Sequence, residues 1–265
     1  MDWLRIASNL RSQVIELSHR ARAAHLASSL SCIDILAVLY GSVLRVKENE
    51  PDWPDRDRFI LSKGHAAAAL YAVLSWRGFL SEADLLTYGS KGSLLEEHPS
   101  PRLAGVEAAT GSLGHGLAIG NGIALAARIR QRPFKSYVLL SDGECNEGAT
   151  WEAALFAAKH KLNNLCAIVD FNKWQATGRS QEVLEIDPLV DKWRAFGWET
   201  AELDGHDFEA LEKNLCRVDF DRPRILIAHT VKGKGISFME DDNNWHYRIP
   251  TADEVAAAKS QLGVL

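Results

Sequence analysis

Apolar residues follow two alternating patterns along the 265-residue chain. Some stretches carry them at the three- and four-residue spacing of an amphipathic helix, and others carry them in short unbroken runs typical of a buried strand. The helical pattern covers residues 2–24, 32–45, an Ala-rich stretch after 65, 113–131, 149–160, 188–196 and 207–217. The strand pattern covers residues 58–61, 137–140, 165–170, 198–202 and 224–229.

Buried strands that alternate with helices are typical of a parallel sheet with helices on both faces. The pattern therefore predicts a doubly wound α/β fold. No linker, repeat or low-complexity tract interrupts it, so residues 1–265 are predicted to form a single domain. Residues 81–112, rich in glycine and proline, are predicted as a loop region that faces substrate or cofactor. Residues from about 231 onward are predicted to be an irregular tail.

Composition narrows the class of protein. The net charge is -5, and the lysines and arginines are scattered, which argues against a nucleic-acid partner. Cys32, Cys145, Cys166 and Cys216 lie far apart and favour single thiols in a reducing cytoplasm over a metal cluster or a disulfide framework. Neither an N-terminal signal segment nor an apolar run of membrane-spanning length is visible, so a cytoplasmic protein without a membrane partner is predicted.

Two polar residues follow predicted strands at their carboxyl ends, where doubly wound sheets bind ligands. Asp142 follows strand 137–140, and Asn172 follows strand 165–170. One crossover helix and one strand fill the interval, so both side chains should reach the same edge of the sheet. Carboxylate and amide oxygens suit a hard divalent cation, and Gly143 lets the backbone approach a diphosphate. The pair predicts a metal–diphosphate site, although Asp and Asn also end strands without any ligand.

The order of several motifs resembles a known family. Ser141-Asp142-Gly143 followed by Asn172 resembles the Gly-Asp-Gly…Asn signature of thiamine-diphosphate enzymes. Six segments resemble transketolases in order over nearly the whole chain, namely His25–Ser29, Asp57–Ala66, Glu97–Pro99, Thr110–Gly114, Asp170–Gly178 and Trp245-His246. Because the chain stops where a full transketolase continues into a pyrimidine-binding domain, it is identified as a member of the transketolase family, the N-terminal subunit of a split enzyme. The implied fold is the diphosphate-binding domain of thiamine-diphosphate enzymes.

The resemblance implies a role for each matching residue. It implies metal binding by the side chains of Asp142 and Asn172 and by the backbone carbonyl of Trp174. It implies cofactor contacts from His65, Gly111, Ser112, Leu113, Asp142, Gly143, Glu144 and Asn172. It implies catalytic roles for His25, His65, His98, His246 and Glu147. Glu147 and Glu152 resemble acidic residues of the family's dimer interface, which link the cofactor sites by proton relay.

Histidine alone is weak evidence, because most histidines in proteins are structural. His19, His160, His206 and His229 keep the structural interpretation. His25, His65, His98 and His246 are interpreted as functional, because together they fill all four histidine positions of the family. Imidazoles can donate hydrogen bonds to substrate oxygens and move protons near neutral pH. His25 and His246 are predicted to transfer protons, and His65 and His98 to orient the donor and the cofactor.

The function implied by the resemblance is transfer of a two-carbon ketol unit from a ketose or ketose phosphate to an aldose or aldose phosphate. The implied cofactors are thiamine diphosphate and Mg²⁺, with Ca²⁺ or Mn²⁺ as substitutes. A C-terminal subunit would supply the pyrimidine-binding domain, and two copies of each chain would form a heterotetramer. Two alternatives stay open: a subunit of another thiamine-diphosphate enzyme, and a cofactor-binding or regulatory subunit without turnover.

Overall fold

A computed structural model describes residues 1–217 and 219–264. Within them, the strands form one sheet in the order β1-β2-β3-β5-β4, and every neighbouring pair is parallel. The strands are β1 (Arg58–Leu61), β2 (Ser136–Ser141), β3 (Leu165–Phe171), β4 (Glu199–Asp204) and β5 (Arg224–His229). The predicted parallel α/β sheet is confirmed, and each strand lies within two residues of its predicted bounds.

Helices follow the strands in alternation, as the apolar pattern predicts. They are α1 (Trp3–Ala21), α2 (Leu26–Ser31), α3 (Ile33–Val38), α4 (Ala67–Trp76), α5 (Glu82–Leu85), α6 (Gly116–Ile129), α7 (Gly148–Lys159), α8 (Ser180–Val183), α9 (Leu189–Ala195), α10 (Phe208–Leu215) and α11 (Ala252–Gln261). In the described part of the chain, none of these helices has the length and hydrophobicity that a membrane span requires.

Successive side chains point to opposite sides of the sheet, and strands β1, β2, β3 and β5 bury both of their faces. The edge strand β4 stays partly exposed. Leu61 and its register partner Leu139 pack with the helices α1–α4, α10 and α11. Their neighbours Ile60 and Val138 pack on the other side with α6, α7 and α9. Two apolar cores therefore enclose the sheet, which accounts for the unbroken apolar runs in the sequence.

Two predictions of local structure are wrong. The predicted helix 32–45 ends at Val38 and continues as a single π-helical turn, Leu39–Val43. The predicted irregular tail contains α11, whose first turn is closed by a capping box in which Thr251 and Glu254 bond each other's backbone N–H groups. This Ala-rich helix buries only Ala258 fully, so it lacks the apolar stripe by which helices are recognised in a sequence.

The carboxyl ends of β2, β3 and β5 lie side by side and lead into three polar segments. β2 continues into a short 3₁₀ turn, Gly143–Asn146, and β3 continues into residues 172–180. β5 continues into residues 230–246, which end in a second 3₁₀ turn. The parallel order of the sheet thus brings three distant parts of the chain to one edge.

Candidate cofactor and active site

A cleft of about 450 Å³ opens at this edge of the sheet. Its lining comprises His25, Ser28, His65, His98, Gly111, Leu113, Ser141, Asp142, Gly143, Asn146, Glu147, Asn172, Trp174, Gln175, Ala176, Thr177 and His246. Most of the site residues predicted from the sequence are in this set. Glu144 and Ser112 are not among the described residues that line the cleft, although both were predicted to contact the cofactor.

Asp142 is the buried carboxylate of the cleft. Its Oδ1 accepts a hydrogen bond from the N–H of Gly143 at 2.9 Å, and its Oδ2 accepts one from the hydroxyl of Ser180 at 2.7 Å. Both donors are neutral, so burial dominates and raises the pKa of Asp142 to about 6. A bound cation would therefore strongly stabilise the ionised form of this carboxylate.

Asn172 is oriented by its neighbours. Its Nδ2 donates to Asp170 Oδ2 at 3.4 Å, and its Oδ1 accepts the N–H of Trp174 at 3.1 Å. An amide oxygen has two lone pairs, so Asn172 Oδ1 can accept a further partner such as a cation. Within the described residues no group of three or more His, Cys, Asp or Glu side chains is placed to hold a metal. A cation here would need the mixed set of carboxylate, amide and carbonyl oxygens that Asp142, Asn172 and Trp174 offer.

A buried ion pair lies beneath Asn172. The ammonium of Lys63 bonds Asp170 Oδ2, and both side chains are fully shielded from solvent. Burial alone would lower the pKa of Lys63, but the attraction of Asp170 outweighs it and raises that pKa. For Asp170, burial would raise the pKa, but the charge and hydrogen bond of Lys63 outweigh it and lower that pKa. The hydroxyls of Ser31 and Thr230 complete the hydrogen bonds to the carboxylate.

Four imidazoles meet at the other side of the cleft. The ring of His25 lies 5.4 Å from that of His65, 6.5 Å from that of His98 and 4.8 Å from that of His246, between centroids. They come from four separate segments, so only the complete fold brings them together. The geometry agrees with the grouping expected from the sequence, while their chemical roles stay predictions.

The backbone of His25 is held in an unusual conformation. Its φ of 65° is left-handed, and its N–H donates to the carbonyl of His246 at 2.7 Å. Its Nδ1 is buried without a hydrogen-bond partner in the structure. Burial, together with the nearby His98 and Lys232, lowers the pKa of His25 to about 4. The imidazole is therefore neutral at physiological pH.

Lys232 fixes the protonation of His246. The fully buried Nζ of Lys232 lies 3.0 Å from His246 Nδ1 and donates to Asn243 Oδ1 at 2.6 Å. An ammonium can only donate, so Nδ1 accepts and Nε2 of His246 carries the proton. Burial and the charge of Lys232 lower the pKa of His246 to about 3, and burial and Lys63 lower the pKa of Lys232 to about 8. His246 is thus a neutral donor through Nε2.

Two glycines bring the predicted cofactor loop against the histidines. Gly111 has a φ of 134°, and a Cβ on it would lie 2.4 Å from His98 Cδ2. A Cβ on Gly64 would lie 2.6 Å from the backbone of Thr110 and Gly111. Any side chain at either position would displace the loop from His98.

Glu144 is fully buried and acts as a structural bridge, because its oxygens are already engaged. Its Oε1 accepts the hydroxyl of Ser62 at 2.5 Å and the N–H of Gly114 at 3.0 Å, and its Oε2 accepts the N–H of Ser141 at 3.0 Å. Burial raises its pKa. Glu144 therefore fastens the ends of β1 and β2 to the loop before α6, and its contact with the cofactor stays a prediction.

Glu147 stands exposed at the mouth of the cleft and precedes α7. Glu152 is exposed on the same helix. Both positions suit the predicted interface role, since neither carboxylate is buried. The histidines interpreted as structural lie elsewhere: His206 bonds Asp34 at 2.7 Å, and His19 bonds the carbonyl of Pro250 at 2.7 Å.

Reasoning from the sequence missed four polar residues that organise the site. Asp170, Lys63 and Lys232 are buried charges, and Ser180 is a buried donor to Asp142. A signal was present for Asp170, because a charged residue interrupts the apolar run of β3. Ser180 carried none, because its distance in sequence from Asp142 gives no hint of contact.

Comparison with known proteins agrees with this geometry. Residues 4–265 match the family described as transketolase, thiamine diphosphate binding domain. The fold superposes on the transketolase of Campylobacter jejuni with a TM-score of 0.94 and 32% identity, covering 100% of this chain and 43% of that one. The chain therefore belongs to the transketolase family and corresponds to its thiamine diphosphate binding domain.

The similarity to components of split enzymes spans nearly whole chains. One of the subunits of an apulose-4-phosphate transketolase from Phocaeicola vulgatus is 41% identical over 95% of this chain and 90% of its own length. A 6-deoxy-6-sulfo-D-fructose transketolase subunit of a Clostridium species is 37% identical over 99% and 96%. Human transketolase is 40% identical, but only 38% of its length is covered. The prediction of a split-transketolase subunit is confirmed.

Proposed function

We propose that this chain binds thiamine diphosphate and a divalent cation, and that it forms an active transketolase only with a separate subunit. The observation that carries the proposal is the meeting of four imidazoles with the Asp142–Asn172 pair in one cleft. The proposed reaction moves a two-carbon ketol unit from a ketose to an aldose.

The residues at the edge of the sheet fit a metal–diphosphate group. The carboxylate of Asp142 is buried with neutral donors only, and the amide oxygen of Asn172 keeps a lone pair free. Mg²⁺ prefers oxygen ligands and commonly keeps phosphate oxygens among them, so we assign Asp142, Asn172 and the carbonyl of Trp174 to it. Ca²⁺ and Mn²⁺ suit the same ligands. Nearby, Lys232 is a buried cation whose hydrogen-bond partners are neutral, which favours an anionic ligand.

Thiamine diphosphate, when bound, supplies the carbon nucleophile and the electron sink that cleavage of the carbon–carbon bond requires. The residues of this chain are proposed to position the cofactor and the donor and to transfer protons. The backbone of Gly111 and Gly143 allows close approach of the cofactor, and Leu113 and His65 line the same wall of the cleft. Ser112, which is exposed between Gly111 and Leu113, is proposed to contact the cofactor as well.

The four histidines of the cleft have two different proposed roles. His246 donates through Nε2, and the neutral imidazole of His25 lies 4.8 Å from it between ring centroids, so these two are the proposed proton-transfer groups. His65 and His98 are proposed to orient the donor and the cofactor. The pKa of His65 is held well below its usual range by burial and by Lys63, so this imidazole also stays neutral.

A second chain is proposed to supply the pyrimidine-binding domain and the glutamate that activates the cofactor. Similar relatives are named as transketolase subunits, which supports the existence of a partner chain. The chain also spans less than half of the length of the one-chain transketolases that it matches. Two copies of each chain would form a heterotetramer with Glu147 and Glu152 at the interface. The exposure of both carboxylates supports that placement.

The donor is proposed to be a ketose that carries an anionic group at its far end. Relatives with similar lengths are named for a 4-phosphate sugar and a 6-sulfo sugar, which share this feature. We also propose a cytoplasmic location, which the four free cysteines support, because thiols persist in a reducing compartment.

Ketol transfer with xylulose 5-phosphate, ribose 5-phosphate, thiamine diphosphate and Mg²⁺ tests the proposal. The chain would be assayed alone and with a candidate pyrimidine-domain subunit, with cofactor binding followed by calorimetry. We expect activity only in the mixture and loss of both binding and activity in Asp142→Ala. Tight Mg²⁺-dependent binding without turnover on any sugar phosphate would indicate a subunit that only binds the cofactor.

A further inference from the structure

The loop after β3 is joined to a distant segment by one exposed carboxylate. We call residues 172–180 the metal loop and residues 239–246 the histidine segment. Asp241 accepts two hydrogen bonds from the guanidinium of Arg179, both at 2.6 Å, and one from Trp174 Nε1 at 2.8 Å. The Arg179 guanidinium also lies 3.7 Å from the centroid of the Trp174 ring. Three donors thus converge on Asp241, and the Trp174 ring packs against the guanidinium that supplies two of them.

A second bridge connects the same two segments closer to the cleft. Asn243 Nδ2 donates to the carbonyl of Ala176 at 3.2 Å, and Asn243 Oδ1 accepts from Lys232 Nζ at 2.6 Å. Lys232 Nζ in turn lies 3.0 Å from His246 Nδ1. A continuous path of hydrogen bonds therefore leads from the metal loop to the imidazole of His246.

The metal loop contains the proposed ligands Asn172 and Trp174 and is fastened at its other side to the third, Asp142. Its last residue, Ser180, donates to Asp142, and the N–H of Trp174 donates to Asn172. The loop is closed on itself by the N–H of Ser180, which donates to the carbonyl of Lys173 at 3.1 Å. Any shift of the loop would move oxygens around Asp142 and Asn172 and would strain the contacts with the histidine segment.

We infer that Arg179 and Asp241 form a clamp that couples occupancy of the metal–diphosphate site to the placement of His246. The clamp makes the metal loop and the histidine segment open and close together. Arg179 and Asp241 are positioning residues, since neither lines the cleft. The identity of the ligand rests on the proposed function, whereas the mechanical coupling does not.

Hydrogen–deuterium exchange of the ligand-free chain tests the coupling directly. In Arg179→Ala, we expect amide exchange to rise about three- to tenfold in both the metal loop and the histidine segment, as loss of one ion pair and one cation–π contact implies. Arg132→Ala is the matched control, because it removes an ion pair of similar exposure with Asp55 on a remote surface. A rise confined to the metal loop would overturn the inference.

Calorimetry with thiamine diphosphate and Mg²⁺ provides the second measurement. We expect Kd to rise about three- to tenfold in Arg179→Ala and less in Arg179→Lys, which keeps the charge but not the paired hydrogen bonds. Ligand should protect the histidine segment from exchange in the wild type and protect it less in Arg179→Ala. Absent binding to the wild type would refute the proposed function but leave the exchange result decisive for the clamp. Normal wild-type binding with an unchanged Kd in Arg179→Ala would contradict the clamp.

Discussion

The ion pair between Lys63 and Asp170 gives a quantitative test of how the site is supported. Replacing Lys63 with Met keeps a flexible side chain of similar length and removes the charge. Asp170 is then left as a fully buried carboxylate with only neutral donors from Ser31, Thr230 and Asn172. Removal of one partner from a buried pair costs about 3–5 kcal/mol, because the remaining charge is uncompensated.

For a chain of 265 residues, that loss corresponds to a decrease in Tm of about 5–9 °C. Urea unfolding at pH 7 would measure the free energy directly. Arg102→Met is the matched control, since Arg102 pairs with Glu96 at 3.1 Å while both side chains are more than 60% exposed. Arg102→Met should lower the free energy of unfolding by less than about 1 kcal/mol.

The cost of Lys63→Met should also depend on pH. The lowered pKa of Asp170 contributes stability that is present above its unfolded pKa of about 4 and is lost as pH falls further. The variant loses this contribution, so the difference between wild type and variant should shrink as the solution is acidified from pH 7 to below pH 4. A difference under about 1 kcal/mol at pH 7, or one that is constant with pH, would refute the reasoning.

Two further predictions concern the cleft. Gly111→Ala should weaken cofactor binding at least about tenfold in calorimetry, because its Cβ would lie 2.4 Å from His98. Gly122→Ala is the control, since a Cβ at that position meets open space. Equal affinities of the two variants would contradict the proposed contact. The lowered pKa values of His25 and His246, about 4 and about 3, mean that the unfolded chain binds protons below pH 6.5 that the folded chain does not. Stability should therefore fall as pH decreases from about 6.5 to 4, and a His25→Asn/His246→Asn double variant should show a smaller fall in the same unfolding titration.

The apolar pattern predicted β1, β2, β3 and β5 because buried parallel strands require unbroken apolar runs, which the partly exposed edge strand β4 lacks. The bounds of β1 agree with the prediction, and those of β2 differ by one residue at each end. The pattern could not predict α11, because this helix buries only Ala258 fully and therefore has no apolar stripe. It also merged α3 with a π turn, since both bury apolar residues at nearly the same spacing.

The candidate site was predicted well where a residue lies at the end of a strand or in a family motif. Asp142, Asn172 and the four histidines each meet one of these conditions, and the cleft contains them all. The bonds of Glu144 to Ser62, Gly114 and Ser141 could not be predicted, because a motif reports neighbours in sequence and not the direction of a side chain. Lys232 and Ser180 became visible only in three dimensions, because their partners are distant in sequence.

The hydrogen bond from the N–H of His25 to the carbonyl of His246 has a consequence for how the protein matures. It joins a residue made early in synthesis to one made near the end. The first three strands can pair on the ribosome, but the pocket cannot close until residues beyond 246 have emerged. A chain that lacks the segment up to His246 should therefore leave His25 without this bond and fail to hold the proposed cofactor.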